Sequence, residues 1–193
     1  MTLPLTWGPG AVLREAQRVI RDELAPVVAE YVAEMEAQYG DTISLPELAD
    51  VQRCEWTPEM FAVPGVHLSV LETRISPDGV EGLDSLSVEY DVRATLVCHD
   101  GSAASSDPQA LQDTIQGLAH CISHLVQATF TGSLRGDDVS ERCGVYDCRP
   151  ARTSWYDPIR SAVDGSDIWL QRCDIRWAMR GRMRQRYASP SIP

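Results

Sequence analysis

With 193 residues, 44% of them hydrophobic, the chain holds enough apolar material for one domain with a real core, and it is not disordered as a whole. All 17 basic residues are arginine and the formal net charge is −11; residues 1–140 hold 22 acids against 7 arginines, residues 141–193 hold 6 acids against 10. Most of the chain therefore repels DNA and anionic membrane, no run approaches a membrane span, the amino end lacks a signal-peptide pattern, and six cysteines in so long a chain read as reduced thiols in a cytoplasm rather than a disulfide framework.

Taken in chain order, Gly8-Pro9-Gly10 reads as a helix entry. From Ala11 to Tyr39 apolar residues recur at three and four (Val12, Ala16, Val19, Ile20, Leu24, Val27, Val28, Tyr31), the stripe of an amphipathic helix that Pro26 should kink or divide and Gly40 should close. Residues 41–65 hold three prolines and no sustained period, so they predict an extended connection over the core, anchored by Leu45, Trp56 and Phe61. "VHLSVLETRIS" and "LSVEYDVRATLVCHD" predict the two strands of a long hairpin. In the second, Leu86, Val88, Tyr90, Val92, Ala94, Leu96 and Cys98 alternate with a mostly polar row, Ser87, Glu89, Asp91, Arg93, Thr95 and His99.

The intervening span 76–85 is longer than a tight turn needs, and Pro77-Asp78-Gly79 marks a turn, so a projecting tip is expected. Asp107 can cap a second helix with Pro108 at its first position; Leu111, Ile115, Leu118, Ile122, Leu125 and Val126 form its buried stripe as far as Phe130. A polar loop, 131–142, follows, and its Arg135-Gly136-Asp137 tripeptide reads as coincidence. Two strands, 144–156 and 167–183, finish the fold before a basic tail, 180–193. In the last strand Trp169, Cys173, Ile175, Trp177 and Met179 face one side, and Arg172, Asp174, Arg176 and Arg180 the other. The order α-β-β-α-β-β, with strands in adjacent antiparallel pairs, predicts a single two-layer α+β domain over 1–193, with helices packed on one face of an antiparallel sheet of about four strands.

Chemistry has little foothold in this pattern. There is no G-x-S-x-G, no Walker loop, no G-x-G-x-x-G after a strand and no H-E-x-x-H, and no catalytic, cofactor or metal residue is assigned. His120 and His124, at i and i+4 in "HCISH", could hold a metal with Cys98, His99, Cys143 or Cys148, but no acidic residue completes a recognised pattern, and solvated helix histidines with buried thiols explain the same residues. Glu89 and Asp91 beside Arg93 could shift a carboxyl pKa, yet an alternating charged face that pairs with a neighbour needs fewer assumptions. A nucleic-acid site on the C-terminal arginines is disfavoured by the net acidity.

The succession of an N-terminal amphipathic helix, the Leu-Pro extension "ISLPEL", the hairpin "FAVPGVHLSVLETRI" and "LSVEYDVRATLVCHD", the helix "DPQALQDTIQGLAHCISHLVQATF" and two closing strands resembles the tail terminator (tail completion) proteins of long-tailed bacteriophages, over about residues 10–183. More loosely it resembles the neck (head-completion, connector) proteins beside them. The resemblance implies a non-enzymatic virion protein of the tail–neck junction, assembled in the host cytoplasm. It would form a homo-oligomeric ring, usually a hexamer, that caps the head-proximal end of the tail tube, ends its polymerisation and docks the neck, with tail-tube and neck proteins as partners and DNA only as passing cargo. It gives the charged sheet faces a purpose: Glu89, Asp91, Arg93, Arg172, Asp174 and Arg176 could match across a head-to-tail subunit contact. The hairpin tip at Pro77, Asp78 and Gly79, the loop residues Arg135, Asp137 and Asp138, and Arg180 and Arg182 are the expected contacts to tube or neck.

Overall fold

The structure, a computed structural model, describes residues 7–40, 43–55, 63–80, 85–99, 108–131, 138–163 and 166–184. Helix α1, Pro9–Tyr39, opens on Gly8, whose carbonyl accepts the Ala11 and Val12 N–H groups at 3.0 and 3.1 Å, with Pro9 at the first helical position. It closes on Gly40, which takes the left-handed conformation (φ 74°) and donates its N–H to Glu36 at 2.9 Å. Of the two outcomes expected at Pro26, a kink or a division, the division does not occur: the helix is continuous through it. Pro26 and Asp22, the residue whose carbonyl loses its helical donor, are both exposed, so water can satisfy that carbonyl. Val12, Ala16, Val19, Ile20 and Leu24 are buried; beyond Leu24 no α1 residue is fully buried, so the C-terminal half of the helix only partly covers the core.

The connection 43–55 contains a strand that the sequence does not announce: β1, Asp50–Gln52, pairs parallel with β2, Gly65–Val80. Three residues are too few to show a period. Leu45 packs on the core as expected, while Trp56 and Phe61 lie outside the described residues. β2 pairs antiparallel with β3, Ser85–His99, forming the long hairpin. Its turn is not at Pro77–Gly79. The register passes from Ile75 opposite Val88 to Val80 opposite Leu86, so β2 spends three more residues than β3 over that span, and the Pro-Asp-Gly stretch is an irregularity within β2. The connecting residues 81–84 lie outside the described residues.

α2, Pro108–Phe130, buries the predicted stripe, every member of which is at most 2% exposed. Asp107 lies outside the described residues. Part of the expected loop 131–142 is helical, α3, Asp138–Cys143. Then come β4, Val145–Trp155, β5, Ile159–Val163, and β6, Ser166–Arg184. The sheet order is β1-β2-β3-β6-β4, with β5 also paired to β6. The two closing strands do pair, but β6 lies between β3 and β4, matched to β3 without a break from Ser85 opposite Arg184 to His99 opposite Leu170. The sheet therefore has six strands, four of them the long ones expected.

Helices cover one face, where Leu68, Tyr90, Leu96, Ile175, Trp177 and Met179 meet Ile20, Ile115, Leu118, Ile122 and Leu125 at 1–2% exposure or less. Alternation keeps Trp169 on the side of Cys173, Ile175, Trp177 and Met179, but unlike them it is 44% exposed. No helix of the described residues is long and apolar enough to cross a membrane.

Candidate functional site

Alternation places the polar residues of β3 and β6 on the face opposite the helices, and the register sorts them into cross-strand rows. The first row runs His67, Thr95, Asp174, Ser154 across β2, β3, β6 and β4. The next runs Ser69, Arg93, Arg176, Arg152; then come Glu72, Asp91, Ala178, Arg149, and Arg74, Glu89, Arg180, Asp147. All six residues read as a subunit contact, Glu89, Asp91, Arg93, Arg172, Asp174 and Arg176, therefore stand on this one face.

They are not equivalent. Asp174 is 2% exposed: Thr95 Oγ1 donates to its Oδ1 at 2.8 Å, Tyr156 Oη donates to its Oδ2 at 2.9 Å, and Arg172 Nε lies 3.8 Å away. The Arg172 guanidinium also stacks 3.8 Å from the Tyr156 ring centroid. This end of the face is an internal polar cluster built around a hydrogen-bonded carboxylate. The other end is open. There Arg180 bridges Glu89 at 3.7 Å, Arg149 bridges Asp147 at 3.1 Å, and Arg74 pairs with Glu72, whose carboxyl it holds below the usual range by hydrogen bonding. A depression of about 250 Å³ lies between Glu72, Glu89 and Asp91 on one side and Arg152 and Arg176 on the other.

Between the two ends lies a row of like charge. Arg93, Arg176 and Arg152 are direct cross-strand neighbours, an arrangement that repels itself. Arg93 reaches Glu55 at 3.3 Å, whereas Arg176 and Arg152 have no carboxylate partner among the described residues. The Nε atoms of Arg93 and Arg176 are buried and unpartnered. Arg152 and Arg149 escaped the sequence reading because β4 carries register irregularities at 145–147 and 150–152, which break the alternation that would have assigned them to a face.

Of the expected tube or neck contacts, Pro77, Asp78 and Gly79 lie in β2, Asp138 opens α3, Arg180 and Arg182 are exposed on β6, and Arg135 and Asp137 lie outside the described residues. His120 and His124 are exposed on α2, His120 against Tyr31 with ring centroids 5.4 Å apart. Cys98, Cys143 and Cys148 are buried, and among the described residues no three His, Cys, Asp or Glu side chains gather as metal ligands. Cys54 Sγ lies 3.7 Å from His67 Nδ1, but burial pushes the thiol pKa up and the imidazole pKa down, so the pair is held neutral rather than as a reactive thiolate–imidazolium.

No protein-family model and no curated protein matches the chain. Among solved structures it is similar to a chain of the virion of a native gene transfer agent particle, with 10% sequence identity and a TM-score of 0.31 over 88% of this chain and 91% of that one.

Proposed function

We propose that the chain is a structural subunit of a phage-type tail: a ring that caps the head-proximal end of the tail tube, ends its polymerisation and presents the surface on which the neck docks. The observation that carries this reading is the open end of the sheet's polar face, beside an arginine row in which Arg176 and Arg152 have no carboxylate partner among the described residues. A surface of that kind is at its most stable against a second, oppositely charged surface, and charge matching of this sort sets register between subunits. At the other end of the sheet Trp155 and Trp169, 45% and 44% exposed on one face, and Ile159, 51% exposed and opposite Leu170 on the other face, add apolar surface available to a partner. The net charge of −11 suits a lumen through which DNA slides without adhering.

The test is the particle mass by light scattering, alone and mixed with the cognate tail-tube protein, with bound metal assayed on the same sample. A ring, formed alone or on the tube, without stoichiometric metal, supports the reading. A ring that ignores the tube but binds a portal-side adaptor moves the protein to the neck. A metal-loaded monomer indifferent to the tube overturns the proposal and returns attention to His120 and His124.

A further inference from the structure

The open end of the sheet's polar face, with its arginine row, has a counterpart of opposite sign elsewhere in the same molecule. The C-terminal half of α1 carries Glu30, Glu34 and Glu36, all exposed, with no basic residue between Pro26 and Gly40. None of the three has an ion-pair partner among the described residues. Glu30 and Glu34 stand at i and i+4, where like charges repel, and Glu36 sits in the last turn, where the helix dipole disfavours an anion. The acidic helix and the arginine row thus have complementary deficits. They lie on opposite sides of a two-layer domain, with the sheet between them, so they cannot meet within one chain. Nor does a two-fold dimer on either face unite them, because it sets each face against its own kind.

We propose that Arg176 and Arg152 on the sheet of one copy receive Glu30 and Glu34 on α1 of the next copy. The spacings agree: adjacent strands place Arg176 and Arg152 about 5 Å apart, and one helical turn places Glu30 and Glu34 about 5–6 Å apart. The contact is heterologous; repeated, it closes a ring where its rotation divides a full turn and otherwise runs on as an open filament. It rests on the ring reading above and specifies which surfaces meet.

The experiment uses the full chain and light scattering at low and high salt, with three variants: the pair Arg152→Glu and Arg176→Glu, the pair Glu30→Arg and Glu34→Arg, and all four together. Arg152, Glu30 and Glu34 are exposed and Arg176 is half-buried, so thermal unfolding verifies that each variant keeps its fold; Arg152→Gln, at an exposed position, provides a milder second test of the row. The expected result is an assembly that loosens with salt, association weakened about tenfold or more by either charge reversal, and substantial recovery when the reversals are combined. A ring that forms but ignores every reversal overturns the pairing and leaves the ring reading intact. A wild-type chain that stays monomeric, alone and with tail-tube protein, overturns both.

Discussion

Glu15 is a carboxylate buried on α1 at 6% exposure, and two guanidiniums explain how it is tolerated. Arg18 contacts Glu15 Oε1 at 2.7 Å and also bonds Glu23 at 2.8 Å, while Arg142 reaches across from α3 at 3.1 Å. The Glu15 hydrogen bond is the main cause that raises the Arg18 pKa, so the cation is locked on. Glu15→Gln should destabilise the fold by about 1–2 kcal/mol in denaturant titration, less than the roughly 3–5 of a fully buried pair, because Arg18 and Arg142 keep 30% and 45% of their side-chain surface exposed. His67 gives a pH signature. It is 3% exposed, burial lowers its pKa below 6.5, and nearby Asp50 only partly opposes this. The unfolded chain then binds the proton first, so the stabilising contribution is complete above pH 6.5 and is lost as pH falls through the lower folded-state pKa. His67→Asn should flatten the stability profile in that acidic window; an unchanged slope would show that His67 is not its source.

At the level of elements, the junction of α3 and β4 is set by one glycine. Gly144 has φ 77°, its carbonyl accepts the Arg182 N–H at 2.9 Å, and a Cβ there would lie 2.7 Å from both the Arg182 carbonyl oxygen and the Trp7 ring. Gly144→Ala combines a left-handed backbone with a clash and should cost at least about 2 kcal/mol, read as a lower unfolding midpoint. The same junction starts β4 in register with β6, so its loss should also disturb Cys148 and the edge that presents Arg149 and Arg152. The α1 helix shows the converse behaviour: Pro26 breaks the local rule, yet the helix continues through it, and Asp22, whose carbonyl loses its donor, is exposed to water.

For the whole molecule, the reading as a ring on a tail tube assigns the Pro77–Gly79 stretch and residues 131–142 to contacts with tube or neck. Deleting Pro77–Gly79, or shortening 131–142 only ahead of α3 so that Val139 and Arg142 keep their core and Glu15 contacts, should leave the domain folded but give tails of abnormal length or tails that fail to join heads, scored by electron microscopy. Normal tails from both deletions would remove these segments from the contact surface. The bulge in β2 makes the first deletion a clean one, since excising three residues equalises the two strands of the hairpin.

The two long helices, the long strands and the buried row of β3 were legible in the sequence because each is a repeated local period: 3.6 residues for α1 and α2, two for β3 and β6; α3, at six residues, is too short to show one. Side-chain direction follows from that period alone, so Glu89, Asp91, Arg93, Arg172, Asp174 and Arg176 could be assigned to one face before any packing was known. Period carries no information about which strand lies beside which. Tertiary structure alone inserted β6 between β3 and β4, added the parallel strand β1, buried Asp174 beneath Tyr156 and brought Arg152 beside Arg176. Those outcomes depend on contacts between residues distant in the chain, and on bulges that shift register by a residue and so change the face a side chain occupies.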